Sequence, residues 1–398
     1  MKDMKEHNLK QTEIGKIPKE WKVVRLGRIL SLRNGERPLI TENSIFPIYG
    51  ANGIMGYTSN FLVNNDFTII IGRVGASGEI HLATGKIWIS DNAIYSRHYD
   101  KDKVYMPFVS YLLKFKNINR FATKSTHPII TQSFLNSFLV PLPPLPEQQK
   151  IAEILSTVDQ AIEKVDESIA KTERLKKGLM QELLTKGIGH KEFKDTEIGR
   201  IPKEWEVVKI NQISEVRRGA SPRPIGNQKY FSEKGRGWIR ISDVTNTYKY
   251  LRSTSQYLSK LGESKSVEVN PGDLIMSICA TIGKPIIVDM KACIHDGFVV
   301  FRNLSKVINI EFLFYVLQRN EYKFVNMKQT GTQGNLNTTL VGETFIPLPP
   351  LPEQQKIAEV LSTVDKRLEL LRNKKEKLHR IKKGLMNDLL IGRRRVKV

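Results

Sequence analysis

The chain has 398 residues, of which 40% are hydrophobic and 26% are charged, and no stretch approaches the roughly 20 apolar residues of a membrane span. This composition predicts a globular protein of two or three domains and excludes an integral membrane protein with helical spans. The formal net charge of +22 predicts a polyanionic partner. Nucleic acid is favoured over an anionic membrane surface, because the basic residues are spread over the whole chain rather than along one amphipathic helix.

The N-terminal residues and the two cysteines bear on the cellular compartment. Residues 1–11 are polar and lack the apolar core of a signal peptide, so we expect a cytoplasmic location. Cys279 and Cys293 lie beside apolar runs, and two cysteines are too few for a disulfide framework or a complete zinc site. They are predicted to be buried free thiols, which fits a reducing compartment.

Three segments of the sequence occur twice. The first copies are TEIGKIPKEWKVV (12–24), PLPPLPEQQKIAEILSTVD (141–159) and LKKGLMQELL (175–184), and the second copies are TEIGRIPKEWEVV (196–208), PLPPLPEQQKIAEVLSTVD (347–365) and IKKGLMNDLL (381–390). The offset between copies is 184 residues for the first segment and 206 for the other two, so the second half holds 22 more residues between its shared segments. This pattern indicates a tandem duplication of a domain with its connector.

Two variable segments lie between the shared ones, at about 27–140 and 211–346. They contain short apolar runs that predict strands, at 67–71, 87–89, 238–241, 274–278 and 298–301. Both also contain a stretch with apolar residues three and four apart, and the offset of 206 aligns the helix predicted at 104–115 with the one at 310–321. Each variable segment is therefore predicted to be an α/β domain of one fold whose loops have diverged.

A long helix is predicted after each proline run, where Pro146 or Pro352 lies at a position that a helix start accepts. Apolar residues then recur in steps of four and three, which is heptad spacing. They are Ile151, Leu155, Val158, Ile162, Val165 and Ile169 in the first helix, and Ile357, Leu361, Val364, Leu368 and Leu371 in the second. The first pattern is predicted to shift at 172–175 and to end near Gly187. Two such faces in one chain predict an antiparallel coiled coil about a pseudo-two-fold axis, although packing on another protein or dimerisation would also cover them.

This organisation resembles the specificity subunit of type I restriction-modification enzymes. The doubled PLPPLPEQQKIAE and IPKEW segments carry the resemblance, which covers essentially the whole chain. It implies that the variable segments are target recognition domains, each reading one half of a bipartite double-stranded DNA site. It also implies a subunit that assembles with two adenine methyltransferase subunits and two motor/nuclease subunits, and that directs methylation and cleavage without catalysis of its own.

The predicted fold class is α/β, with two α/β target recognition domains joined by two long helices in a pseudo-two-fold tandem repeat. The first recognition domain is expected at 1–146 and the first conserved long helix at 147–190. The second recognition domain is expected at 191–352, followed by the second conserved long helix and a basic tail at 353–398.

The chain lacks the sequence motifs of the obvious DNA-modifying enzymes. The double prolines at 143–144 and 349–350 are flanked by leucines, which cannot hydrogen-bond an adenine amino group as a methyltransferase motif does. No glycine-rich loop ends in Gly-Lys-Ser/Thr. Asp243 with Glu263 and Lys265 loosely matches a magnesium nuclease pattern, but solvated surface charge explains these residues better. We therefore predict no catalytic residue, metal or cofactor, with a free-standing DNA-binding regulatory protein as the alternative function.

Base contacts are expected in the loops of the two recognition domains, because Arg pairs with guanine edges and Asn or Gln with adenine edges. The candidates in the first domain are Arg33, Asn34, Asn52, Arg73, Lys124, Ser125, Thr126 and His127. The candidates in the second domain are Arg217, Arg218, Arg223, Arg240, Gln329, Thr332, Gln333 and Asn335. The alternative is that these residues only shape turns, which Gly331 and Gly334 alone would justify. Trp21 and Trp205 are expected to be packing anchors.

Overall fold

The computed structural model describes residues 2–3, 8–38, 45–123, 128–329 and 336–397. It divides into two compact units: unit 1 comprises Met1–Glu167 with Arg372–Val398, and unit 2 comprises Ser168–Leu371. The two divisions fall inside the helices Leu145–Leu183 and Leu351–Leu389, which we call the first and second long helices. Each unit therefore contains one variable segment together with part of both long helices.

Unit 1 is built on a six-stranded mixed sheet. Ile69, Ile70 and Ile71 are consecutive and all fully buried, because both faces of their strand are covered. Neighbouring strands are antiparallel, except that Phe46–Gly50 and Ile80–Ile89 are parallel. In spatial order the strands are Leu30–Asn34, Ala93–Tyr99, Val63–Gly72, Ile80–Ile89, Phe46–Gly50 and Gly53–Thr58.

The helix Met106–Lys116 covers one face of this sheet. Its buried Phe108 belongs to the main hydrophobic core of unit 1 together with Ile69 and Ile71. Ile70 belongs to a separate cluster that includes Ile89. Successive side chains of this strand point to opposite faces of the sheet, so one strand contributes to the hydrophobic clusters on both faces.

The remaining described elements of unit 1 are short. Its paired strands are Lys2–Asp3 with Arg394–Arg395, Leu9–Thr12 with Gly15–Pro18, and Lys22–Arg25 with Leu139–Leu142. Its short helices are Leu26–Ile29, the 3-10 turn Ile118–Phe121, and Gln132–Ser137.

Unit 2 divides its strands between two five-stranded sheets. The first has the order Glu215–Arg218, Phe298–Arg302, Leu274–Ser277, Pro285–Val288 and Tyr250–Leu251. The second has the order Phe231–Ser232, Gln256–Leu258, Arg236–Ile239, Ala292–Ile294 and Val267–Val269. Two further strand pairs are Phe193–Thr196 with Gly199–Pro202 and Glu206–Lys209 with Phe345–Leu348. The short helices are Ile210–Ile213, Gln228–Tyr230 (3-10), Ile241–Thr245, Lys260–Glu263, Ile310–Arg319, Glu321–Gln329 and Thr338–Gly342.

The mixed α/β class and the duplicated organisation are thus confirmed. Cys293 is a buried free thiol, and burial raises its pKa to about 12, whereas Cys279 is only half-buried and forms no disulfide with a described residue. Within the described ranges, no helix is long and apolar enough to cross a membrane.

The heptad face of the first long helix is buried or half-buried throughout, with Val158 and Ile169 half-buried. After Ile169, the next positions at heptad spacing are Thr172 and Lys176, and both are buried, at 8% and 6% exposure. Leu175 points away from this face and is 55% exposed. The predicted shift at 172–175 is therefore wrong, because the pattern continues through polar residues rather than moving to the next apolar one.

Inside unit 1, the segments of the two long helices run in opposite directions. Lys375 Nζ lies 2.7 Å from Asp166 Oδ1, and Lys382 Nζ lies 2.5 Å from Asp159 Oδ1. Moving seven residues forward along the second helix moves the contact seven residues backward along the first. Only antiparallel neighbours give this reversal.

Matched tyrosines correct the predicted alignment of the domain helices. Tyr111 Oη donates to Asp159 Oδ2 at 2.7 Å, and Tyr315 Oη donates to Asp365 Oδ2 at 2.6 Å. The aspartates differ by 206 positions, but the tyrosines differ by 204. The offset of 206 predicted for this helix is therefore wrong by two residues. The second half has two more residues than the first between this tyrosine and its aspartate.

Candidate nucleic-acid interface

A tryptophan and a glutamate explain why two of the shared segments belong together. Trp21 Nε1 donates to Glu147 Oε2 at 2.9 Å, and Trp205 Nε1 donates to Glu353 Oε2 at 2.9 Å. Both indoles are fully buried, so each needs its hydrogen-bond acceptor. The IPKEW segment and the start of the long helix are therefore fixed to each other in each unit, and the prediction that both tryptophans are packing anchors agrees with this contact.

The next residue of each helix fixes the domain helix in the same way. Gln148 Nε2 donates to the carbonyls of Pro143 and Lys103, both at 2.8 Å, and its Oε1 accepts from Tyr105 N at 2.9 Å. In unit 2, Gln354 makes the equivalent three bonds to Pro349, Val307 and Asn309 at 2.8 Å. Because each buried amide uses both its oxygen and its nitrogen in hydrogen bonds, it fixes the segment before the domain helix to the start of the long helix.

Four predicted DNA contacts of unit 1 lie at one edge of its sheet. Asn34 ends its strand, and a Cβ on the following Gly35 would lie 2.1 Å from Ser90 O, so this strand end abuts the 90–92 turn. Arg73 N donates to Asn92 O at 2.8 Å, and Arg73 Nη1 reaches Asp91 O at 3.4 Å. The structure thus brings Asn34 and Arg73 to the same turn, and Arg33 immediately precedes Asn34 on the strand.

Asn52 belongs to the same edge through its neighbour. Ala51 O lies 3.0 Å from the place where a Cβ on Gly72 would stand, next to Arg73. Asn52 itself is exposed in the turn between Phe46–Gly50 and Gly53–Thr58. We call the exposed residues Arg33, Asn34 and Asn52 and the half-buried Arg73, with the 90–92 turn, the unit 1 loop edge.

In unit 2 the corresponding turn is organised by Asp296. Ser221 Oγ donates to Asp296 Oδ1 at 2.5 Å, Arg223 Nη2 lies 3.0 Å from Oδ2, and Arg218 Nε donates to the Asp296 carbonyl at 2.8 Å. The bond from Ser221 and the charge of Arg223 hold the pKa of Asp296 below its usual range. Two of the predicted arginines therefore bind one residue: Arg223 contacts the carboxylate of Asp296, and Arg218 contacts its main-chain carbonyl.

The other two arginines predicted for unit 2 are placed differently. Arg217 precedes Arg218 on the same strand, so alternation directs it to the other face of the sheet. Arg240 is half-buried, and its backbone N–H donates to Asp243 Oδ2 at 2.9 Å at the start of a short helix. We call Arg217, Arg218, Arg223 and Arg240, with Ser221 and the 295–297 turn, the unit 2 loop edge.

Several predicted contacts lie outside the described residues. These are Lys124, Ser125, Thr126 and His127 in the first domain, and Thr332, Gln333 and Asn335 in the second. Gln329 is the last residue of the helix Glu321–Gln329, but its side chain is also outside the described part. In unit 1 the residues that follow are described: Ile130 N donates to Arg73 O at 3.0 Å, which joins the 128–130 segment to the loop edge.

The loose nuclease pattern does not form a site. Asp243 accepts backbone bonds from Arg240 and Ser255, and Glu263 pairs with Lys260 at 2.9 Å. These carboxylates therefore serve separate structural roles. In the described part of the chain, no three residues of the His, Cys, Asp and Glu types are grouped as a metal site would require.

Sequence reasoning missed Asp296 and Ser221. An acidic residue is poor at contacting DNA directly, so it did not enter a set chosen for base recognition. A signal was present, because Asp91 and Asp296 occupy matching positions in the two halves.

The duplication defines a two-module protein whose candidate DNA contacts gather at one loop edge of each module. The family model described as type I restriction modification DNA specificity domain matches residues 18–173 and 202–380. The chain belongs to this family and contains two copies of its domain.

Curated relatives match over the full length. The chain is 30% identical to the type I restriction enzyme MjaVIII specificity subunit of Methanocaldococcus jannaschii, covering 100% of this chain and 98% of the relative. It is 31% identical to the putative MjaX specificity subunit of the same organism, covering 99% and 98%.

Solved structures share the fold. The type I restriction-modification S subunit from M. genitalium aligns with a TM-score of 0.67 at 16% identity, over 98% of this chain and 99% of that one. A second structure, concerned with complex assembly and conformational transition of the type I R-M system, aligns with a TM-score of 0.56 at 18% identity, over 95% and 99%.

Proposed function

We propose that this chain is the DNA-recognition subunit of a type I restriction-modification complex. Each unit reads one half of a bipartite site, and the chain directs adenine methylation and cleavage by partner subunits while supplying no catalytic group. The observation that carries the proposal is the pair of loop edges, which present different side chains from the same place on one repeated frame. Arg73 with Asn34 in unit 1 and Arg223 with Arg218 in unit 2 suit different base edges.

The long helices are proposed to form an antiparallel coiled coil that sets the length of the unspecified DNA between the half-sites. The reversed ion pairs inside unit 1 support antiparallel pairing, and the heptad spacing that continues through the buried Thr172 and Lys176 supports a coiled coil. Base contacts would then depend on the loops, and the spacing of the half-sites on the helices.

The partner subunits are proposed to bind repeated surfaces. Leu175 and Ile381 occupy equivalent positions of the two long helices and are 55% and 51% exposed. Two equivalent apolar positions suit two copies of one partner, and we assign them to two adenine methyltransferase subunits. Two motor/nuclease subunits and a cytoplasmic location complete the proposal, as the resemblance implies.

Mapping methylated adenines in the host genome with and without this gene tests the proposal. We expect one bipartite motif to lose its methylation when the gene is deleted. Unchanged methylation, together with failure to co-purify a methyltransferase, would favour the free-standing DNA-binding regulator.

A further inference from the structure

Unit 1 has a basic cleft beside its loop edge. The cleft has a volume of about 530 Å³ and is lined by Arg25, Arg28 and Arg33, with the amide side chains of Gln132 and Asn136. All three arginines are exposed, and none of them forms an ion pair with another described residue. Among the described residues, no carboxylate lines the cleft.

Gly27 shapes the floor of this cleft. A Cβ at Gly27 would lie 2.8 Å from Asn136 Oδ1 and 2.9 Å from Asn136 Cα, so only glycine allows the two segments to approach this closely. The neighbouring Arg25 and Arg28 therefore stand on either side of a close backbone contact. Arg33 lies in the strand Leu30–Asn34, which leads from the cleft to the loop edge.

The equivalent place in unit 2 is neutralised. Lys209 corresponds to Arg25, and it pairs with Glu343. Asn211 Nδ2 also donates to Glu343 Oε1 at 2.8 Å, and the bonds from Lys209 and Asn211 lower the pKa of that carboxyl. Asn211 stands where unit 1 has Gly27, and Gly342 stands where unit 1 has Asn136. The close glycine–asparagine contact is therefore kept, but each residue now comes from the other segment. The basic cleft is thus a property of unit 1 and not of the repeated frame.

We propose that the cleft formed by Arg25, Arg28 and Arg33 binds the sugar-phosphate backbone of DNA next to the bases that unit 1 reads. This inference rests on the proposed function. Guanidinium groups match phosphate oxygens, and a cleft without carboxylates does not repel a polyanion. Because Arg33 belongs to both the cleft and the loop edge, a DNA backbone bound in the cleft would lie next to bases at the loop edge. Phosphate contacts fix the register of a protein on the duplex without reading its sequence.

The test is the salt dependence of DNA binding by the full chain with Arg25→Gln and Arg28→Gln together. Each lost phosphate contact should reduce the slope of log affinity against log salt by about 0.9, so the slope should become less steep by about 2 between roughly 50 and 300 mM salt. Affinity should fall by the same factor for the cognate site and for DNA with either half-site scrambled. Far-UV circular dichroism should be unchanged, because both side chains are exposed.

The matched control removes the Lys209–Glu343 ion pair of unit 2 by Lys209→Gln with Glu343→Gln. Because this pair carries no net charge, the slope of log affinity against log salt should equal that of the native chain. An unchanged slope in the arginine variant overturns the proposal. If that variant instead loses methyltransferase binding, the cleft receives an acidic protein surface, and the proposal is overturned as well. Failure of the native chain to prefer any bipartite site would refute the proposed function, which is a separate result.

Discussion

Lys176 Nζ lies 2.9 Å from Asp365 Oδ1 in unit 2, and both side chains are less than a tenth exposed. The repeat counterpart in unit 1 joins Lys382 to Asp159 at 2.5 Å. The first pair takes its lysine from the first long helix, whereas the second takes it from the second long helix. The two copies of this ion pair therefore differ in which long helix supplies the lysine.

The two ion pairs should differ in their contribution to stability. Lys176→Met leaves the Asp365 charge buried without its cation, so the free energy of unfolding should fall by about 3 kcal/mol. Lys382→Met should cost less than about 1 kcal/mol, because Lys382 and Asp159 are 24% and 37% exposed. Urea unfolding followed by circular dichroism measures both, and equal losses would contradict the burial difference.

The buried indole bond should matter in both units. Trp205→Phe removes the donor to Glu353, although His190 and the Ile188 N–H still bind that carboxylate. We expect a loss of about 1–2 kcal/mol in the free energy of unfolding. Trp88→Phe is the control, since its indole donates to Glu36 O in an exposed bond, and it should cost less than about 0.5 kcal/mol. A control loss as large as that of Trp205→Phe would show that ring volume rather than the hydrogen bond is responsible.

Asp296→Asn should affect recognition by unit 2 alone. The substitution removes the charge that holds Arg223, so preference for the correct bases of one half-site should fall by roughly tenfold. The freed arginine should also raise affinity for unrelated DNA. Asp91→Asn is the matched control in unit 1, where only the main-chain carbonyl accepts from Arg73. Competition binding with each half-site scrambled checks this, and an equal effect on both halves would be inconsistent with separate readers.

Acid should destabilise unit 2 through His295. Burial lowers the pKa of His295 below its ordinary value of 6.5, so the folded chain keeps the ring neutral. The unfolded chain binds a proton below about pH 6.5, and stability should therefore decrease as the pH falls through that value towards the folded pKa. Between about pH 7.5 and pH 5, the melting temperature of His295→Gln should fall by less than that of the native chain. Identical pH dependence in both chains would show that His295 does not contribute.

Much of the frame could be predicted because its signals are local or repeated. Heptad spacing from Ile151 to Ile169 predicted the first long helix, and the duplicated segments predicted two copies of one α/β frame. The polar continuation through Thr172 and Lys176 was missed, since a pattern search follows apolar residues. Lys176 is acceptable there because Asp365 neutralises it, and that partner is 189 positions away.

The loop edges were only partly predictable. Arg73 was chosen for its guanidinium, and its backbone bond to Asn92 places it at the turn that the strand end at Asn34 also meets. Asp296 and the Arg25–Arg28 cleft were not predicted, because their roles depend on neighbours from distant segments: Ser221 and Arg223 for the first, and Asn136 for the second. Charge and residue type do not reveal which arginines are already neutralised.

Methylated adenines should be mapped in cells that carry the native chain and in cells that carry a loop-edge variant of unit 1. The variant replaces Arg33, Asn34, Asn52 and Arg73 with alanine; the first three are exposed and Arg73 is half-buried. If each unit reads its own half-site, one half of the methylated motif should lose its sequence requirement, while the other half and the spacer length stay the same. A change in both halves, or in neither, would contradict the account.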